Sequence, residues 1–161
     1  MKRMISAMLV AGMLLWSAGC GGVSSDTMAD IYYDAKQLGS YYSNYELSGS
    51  TQSIGEDTIF GTYKGLNGMV MLWNYEAPGD IALDIDYKFQ VLHGKVKLVM
   101  VDPEGQIHTI EELSGGATSD GMKTESFSMY DGLYRLKLVG TDDAEVEFAV
   151  EIDEGDFIGA K

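Results

Sequence analysis

The sequence predicts an all-β protein, an antiparallel β-sandwich or jelly roll of about eight strands. Apolar and polar residues alternate with a period of two in several segments, which is typical of strands with one buried and one solvent-facing side. Turn residues separate these segments at intervals of about 8 to 14 residues, as in antiparallel folds. Beyond residue 58 no segment of helical length has a 3.6-residue period, which argues against βαβ units.

Four segments show the alternation most clearly, and they define the predicted core. These segments are 80–91, 94–105, 132–140 and 144–153. In the third of them, Arg135 and Lys137 lie between apolar residues and are predicted to face water. Further strands near 58–63, 68–76, 106–112 and 122–129 complete the count. The predicted inward-facing residues are Ile81, Leu83, Ile85, Tyr87 and Phe89; Val96, Leu98 and Met100; Tyr134, Leu136 and Leu138; and Val146, Phe148, Val150 and Ile152.

The predicted turns carry the residue types that chain reversals require. Asp102-Pro103-Glu104-Gly105 has Pro at the second and Gly at the fourth position of a type I turn. Further reversals are predicted at 77–80, at Asp131-Gly132 and at 140–143, where Gly, Pro and Asp concentrate.

Two stretches of the chain resemble a known class of domain. "GKVKLVMVDPEGQI" and "DGLYRLKLVGTDDAEVEFAVEI" are similar to the small β-sandwich domains of bacterial secreted proteins, such as the pre-peptidase C-terminal type. The resemblance covers about residues 58–153, which we take as the sandwich domain. It implies an accessory or binding module and transfers no catalytic residue.

The N-terminus has the pattern of an export signal. Lys2 and Arg3 precede an apolar run from Met4 to Trp16, which is shorter than the roughly 20 residues of a membrane-spanning helix. Cys20, the only cysteine, follows three small residues, 17–19.

This arrangement resembles the lipobox of bacterial lipoproteins, although Ser17 stands where Leu is usual. The resemblance implies that residues 1–19 are removed and that Cys20 receives a diacylglyceryl group at the extracytoplasmic face of the membrane. The alternative is an ordinary secretory signal cleaved after Ala18 or Gly19, which would leave a free thiol.

Residues 20–57 are predicted to form a flexible tether and a Tyr-rich segment. Apolar positions at helical spacing predict a short amphipathic helix from about 27 to 38, which Gly39 would end. Residues 48–57 have the composition of a linker, and 154–161 that of an acidic C-terminal tail.

The charge excludes nucleic acid as a partner. The chain has 25 acidic and 11 basic residues, and without residues 1–19 the net charge is −16. Nucleic-acid binding requires clustered Lys and Arg, and an anionic membrane would repel such a surface. The predicted attachment to the membrane therefore depends on the lipid at Cys20.

The sequence contains none of the common catalytic or cofactor motifs, so we expect no enzyme and no cofactor. His93 and His108 are predicted to be solvated histidines at strand ends rather than a metal pair. Four carboxylates are weak calcium candidates, with solvation as the simpler interpretation; they are Asp84, Asp86, Asp142 and Asp143.

Aromatic residues are the remaining candidates for ligand contacts. Tyr41, Tyr42 and Tyr45 could stack on sugars, as could Trp73, although its strand position favours the core. The leading hypothesis is a cell-surface lipoprotein with a non-catalytic binding or envelope-accessory domain for an unknown protein or glycan. The alternatives are a carbohydrate-binding module and a small hydrolase or an inhibitor.

Overall fold

The computed structural model describes residues 25–161, so the predicted signal peptide and Cys20 lie outside the described residues. Nine strands form one antiparallel sheet, and two short helices and a 3₁₀ turn precede it. The helical elements are α1 (Ser25–Asp30), the 3₁₀ turn (Ile31–Tyr33) and α2 (Ala35–Leu38). The strands are β1 (Asn44–Glu46), β2 (Gly49–Ile54), β3 (Thr58–Ala77), β4 (Ile81–Val101), β5 (Ile107–Ser114), β6 (Ala117–Thr118), β7 (Lys123–Met129), β8 (Gly132–Glu151) and β9 (Asp156–Phe157).

Three strands of 20 or 21 residues dominate the sheet. The central strand β8 pairs with β3 on one side and with β4 on the other. The short strands β1, β2 and β9 pair with the outer edge of β3, and β5, β6 and β7 pair with that of β4. Each long strand contains two of the predicted strands, so the predicted reversal at 140–143 is a bend within β8.

The three long strands bend at the same level, which we call the corner. In β3 the register shifts around Leu66, between glycines with φ of 64° and 102°, and in β4 it shifts beside Gly94, with φ of 71°. In β8, Asp142 and Asp143 have φ of 60° and 51°. Asn67 joins two of the bends, because its amide donates to the Asp143 carboxylate at 2.6 Å.

Bending at the corner turns one sheet into a sandwich of two layers. Layer one contains the first halves of β3 and β4 and the second half of β8, with β2, β6 and β7. Layer two contains the other halves, with β1, β5 and β9. The inner faces of both layers share one hydrophobic cluster, which includes Tyr63, Phe89 and Phe148 from layer one and Leu72 and Leu136 from layer two. The all-β sandwich prediction is confirmed.

The outer face of layer two is covered by residues 31–42, which we call the cover. Ile31, Tyr32 and Leu38 of the cover pack against outward-facing residues of the long strands, including Val99 and Val139. The helix predicted over 27–38 is broken at Asp34, whose backbone is extended and whose carboxylate accepts from the backbone N–H groups of the next turn at 3.0 and 3.1 Å. The last helical residue, Leu38, precedes Gly39 as predicted.

Two cations attach the cover to the sheet. Arg135 donates to the carbonyl oxygens of Gly39 and Ser40 at 3.0 and 2.9 Å, and Lys137 donates to that of Leu38 at 2.8 Å. These are the unpaired carbonyls at a helix end, which attract positive charge. The prediction that Arg135 and Lys137 face water is wrong: they are 2% and 0% exposed, because the cover lies over them.

The folded domain extends further in both directions than the predicted 58–153. Residues 49–54, predicted as linker, form β2, and Asp156–Phe157 of the predicted tail form β9. Tyr63, from the core, accepts from the backbone N–H of Ala160 at 3.1 Å, which holds the C-terminal segment against layer one. Within residues 25–161, no helix has the length and apolar character needed to span a bilayer.

A substitution at Gly94 tests whether the corner requires a residue without a side chain. A side chain there would combine φ of 71° with a Cβ only 2.5 Å from the carbonyl oxygen of Thr141. We expect Gly94→Ala to lower the free energy of unfolding by about 3 kcal/mol, measured by urea denaturation. Gly49→Ala is the matched control, since its Cβ would meet no atom within 4 Å. Equal stability of the two variants would contradict a steric requirement at the corner.

The pH dependence of stability tests whether the cover buries Lys137. Burial, and secondarily the charge of Arg135, lower the pKa of Lys137 from 10.5 to about 8. The unfolded chain therefore binds more protons between pH 8 and 10, so this lysine makes the free energy of unfolding rise with pH in that window.

We subtract the free energy of unfolding of Lys137→Met from that of the wild type. We expect this difference to rise by about 1 kcal/mol per pH unit between pH 8 and 9.5. It should be constant from pH 6 to 7, where lysine is protonated in both states. Urea denaturation across these pH values measures it, and a difference that is flat or falls above pH 8 would contradict the buried ammonium group.

Candidate functional site

The outer face of layer one carries an open groove with a volume of about 930 Å³. Its floor is formed by the layer-one halves of the three long strands. Strand β2 forms one wall, and the segment from Thr118 to Met122 forms the other. The groove and the cover thus lie on opposite outer faces of the sandwich.

The strand register arranges the floor in three rows that run across the sheet. Partners on adjacent strands are about 5 Å apart, and successive rows are about 7 Å apart. Thr51 and Ser53 of β2 extend two of these rows, since they pair with Thr62 and Phe60. The rows are Phe60, Ala149 and Lys88; Thr62, Glu147 and Gln90; and Thr58, Glu151 and Asp86.

Phe60 is the one large apolar side chain in the three rows of this floor. Its neighbours in sequence, Ile59 and Gly61, face inward, and Phe60 itself is 54% exposed. Met122, on the opposite wall, is 48% exposed. A large ring left in water on the floor of a groove indicates a contact surface, because folding alone favours its burial.

The polar side chains of the floor are available to a ligand. Among residues 25–161, no hydrogen bond between side chains and none of the three ion pairs involves Lys88, Gln90, Glu147 or Glu151. Their polar atoms are therefore hydrated, and a ligand can replace this water with its own donors and acceptors.

The far wall, in contrast, is fixed by internal bonds. The Ser119 hydroxyl accepts from the backbone N–H of Phe89 and donates to its carbonyl, both at 3.1 Å. Lys123 forms an ion pair with Glu111, which raises the pKa of the lysine. The groove therefore has one wall held by internal hydrogen bonds, beside a floor whose polar side chains form none with other side chains.

The aromatic candidates from the sequence lie elsewhere. Tyr41 and Tyr42 are exposed on the cover, on the other side of the sandwich. Tyr45 is half-buried, and its hydroxyl accepts from the backbone N–H of Lys161 at 2.8 Å. Trp73 is fully buried, donates to the carbonyl of Glu154 at 2.6 Å and stacks on Tyr75, so it cannot serve as a sugar platform.

The calcium candidates are not brought together. Asp84 and Asp86 accept hydrogen bonds from Ser126 and Thr124, whereas Asp142 and Asp143 lie at the corner. Within residues 25–161, no group of three or more His, Cys, Asp or Glu side chains could hold a metal ion.

The histidines are also separate. His93 lies beside the corner, and His108 pairs with Met100, seven positions further along β4, or roughly 20 Å. His108 instead contacts Asp102, at 3.2 Å between Nε2 and Oδ2.

Sequence reasoning missed Phe60, Glu147 and Gln90 as partners in one site. A local signal existed for Phe60, because it occupies a polar phase of the alternation between Ile59 and Tyr63. No local signal shows which outward-facing residues of three distant strands share a row, since that depends on the register.

No protein-family model and no curated protein matches the chain. Solved structures with a similar backbone include a family 29 carbohydrate-binding module in complex with mannohexaose, at 17% identity over 70% of this chain and 86% of that chain, with a TM-score of 0.35. CBM35 from Paenibacillus barcinonensis has 14% identity over 72% and 86% of the two chains, with a TM-score of 0.34. A CBM4 structure has 5% identity over 73% and 79%, with a TM-score of 0.36. Similarity at this level identifies no shared ligand.

Proposed function

We propose that this protein is a lipid-anchored, non-enzymatic glycan-binding protein that holds a carbohydrate chain in the groove of layer one. The observation that carries the proposal is the exposed Phe60 in the middle row of a polar floor, beside the β2 wall. A sugar ring has an apolar C–H face and a rim of hydroxyl groups. It is therefore recognised by an aromatic ring together with hydrogen-bonding groups of both kinds.

The shape of the groove suits an oligosaccharide rather than a small molecule that is fully enclosed. Its volume of about 930 Å³ is near the upper end for ligand sites. The three rows of side chains offer repeated hydroxyl, amide and carboxylate groups beside Phe60. Successive sugar units could therefore contact successive rows.

The charge of the groove selects among glycans. Glu147 and Glu151 outnumber Lys88 on the part of the floor that lines the groove, and the chain after residue 19 has a net charge of −16. Uronic acids and phosphate-bearing polymers would be repelled. We therefore assign a neutral or amino-bearing glycan to the groove.

The arrangement of carboxylates favours binding over hydrolysis. Glu147 and Glu151 are four residues apart on one strand, about 13 Å between Cα atoms. Asp86 and Glu151 are register partners, but Glu151 is exposed and Asp86 accepts a hydrogen bond from Thr124. A glycosidase instead keeps its acid in a site that excludes water.

The membrane anchor is the second part of the proposal. Its support is the position of Cys20 after a charged, apolar and small-residue leader, the pattern of a lipoprotein signal. Two acyl chains give stable attachment, whereas one gives only reversible binding. The glycan-binding domain would then be held at the extracytoplasmic face of a bacterial membrane.

The groove is tested by Phe60→Ala. Isothermal titration with mannohexaose, cellohexaose, a chitosan hexamer and oligogalacturonate should give binding to a neutral or amino glycan and none to the uronate. We expect Phe60→Ala to weaken this binding about tenfold, or about 1.4 kcal/mol.

Leu92→Ala is the matched control, because Leu92 is an exposed apolar residue of β4 outside the groove and should bind as the wild type does. Failure to bind any neutral or amino glycan, or the same loss in the control, would remove the glycan site.

The anchor is tested by Cys20→Ala. Metabolic labelling with an alkyne fatty acid in a bacterial host should label the wild type and leave the variant unlabelled and released from the membrane fraction. Ser17→Leu is the control, since it restores the usual lipobox residue and should keep the label. Equal labelling of wild type and Cys20→Ala would disprove the anchor.

A further inference from the structure

The cover presents tyrosines to solvent on the face opposite the groove. Tyr33 and Tyr42 are 70% and 76% exposed, and Tyr41 is exposed beside the guanidinium of Arg135, which lies 4.2 Å from its ring centre. The bonds of Arg135 and Lys137 hold the cover against layer two. These tyrosines are therefore fixed on one face of the domain.

The chain enters the domain at the same face. Helix α1, where the described chain begins, contacts the 3₁₀ turn of the cover and strands β1, β3 and β8. Five residue steps separate Cys20 from Ser25, and they reach at most about 18 Å. If Cys20 carries its lipid, as the proposed function holds, the cover side must therefore lie close to the headgroups.

The cover itself carries no net charge. Residues 31–42 contain one Asp and one Lys, so they are neutral in a strongly acidic protein. Beneath them lie Arg135 and Lys137, which belong to none of the three ion pairs among residues 25–161. The acidic side chains Glu147 and Glu151 face the opposite side.

We propose that the cover is a membrane-contacting face, with Tyr33, Tyr41 and Tyr42 at the level of the lipid headgroups. Tyrosine has an apolar ring and a polar hydroxyl, so it favours the boundary between hydrocarbon and water. This inference rests on the proposed anchor. Its consequence is that the groove opens away from the bilayer, towards extracellular glycans.

A single-thiol experiment on the lipidated full-length protein tests the contact. Cys20 is the only cysteine and its sulfur carries the lipid, so Tyr42→Cys supplies a unique thiol for an environment-sensitive fluorophore. The protein is placed in phosphatidylcholine and phosphatidylglycerol vesicles, about 3 to 1, with nitroxide-headgroup lipid as quencher. We expect at least about twofold more quenching at position 42 than at Ser53→Cys, on the groove wall. Equal quenching at the two positions would overturn the proposal.

A second variant separates a tyrosine contact from simple closeness to the tether. The fluorophore is placed at Ala35→Cys, an exposed site on the cover, with and without Tyr33→Ser and Tyr42→Ser. Removing the tyrosines should reduce quenching by about half and leave glycan binding unchanged. Unchanged quenching would overturn the role of the tyrosines.

The mass of the intact protein distinguishes the failure of this inference from that of the anchor. A protein without diacylglyceryl would disprove the anchor and the membrane contact together. A lipidated protein without quenching at position 42 would disprove the contact alone. Glycan binding, measured separately, would stand in either case.

Discussion

The architecture depends on the bend that β3, β4 and β8 make at one level. Gly94 and the two glycines around Leu66 have positive φ there, and Asp142 and Asp143 adopt the same region in β8. Because one sheet supplies both layers, this bend sets the inner faces against each other and also determines which residues share each outer face. Hydrophobic burial between the layers stabilises the bend, since the shared cluster spans both halves of every long strand.

Strand β8 shows how one alternation can serve two outer faces. Before the bend, its outward side chains are Arg135 and Lys137, and the cover encloses them. After the bend, they are Glu147, Ala149 and Glu151, which remain open to the groove. The cations can be buried because helix-end carbonyls replace their water, whereas no such partner meets the two glutamates among the described residues. One face is thereby closed and the other stays available for binding.

The proposals use the two faces in a consistent way. The proposed glycan site on layer one would need access to the outside, and the proposed anchor at Cys20 would bring the cover side to the membrane. The neutral cover and the acidic groove suit these opposite positions. Anionic headgroups repel acidic surfaces, whereas a neutral or amino-bearing glycan is not repelled by carboxylates. The two proposals are connected by the hydrogen bonds that hold the cover against layer two. Without this attachment, the orientation of the groove relative to the membrane would be undefined.

The sequence by itself determined most of the strand segments between residues 58 and 153, their inward faces and the turn at Asp102–Gly105, because period-two alternation and turn chemistry are local. Tertiary structure decided the rest. Arg135 and Lys137 have the pattern of solvent-facing residues, and only the cover, about a hundred residues earlier in the chain, makes them buried. Phe60, Glu147 and Gln90 lie together in the groove because row membership depends on pairing between distant strands. Local patterns indicate which side of a strand is polar. Only the register and the bend determine whether that side lies under the cover or in the open groove.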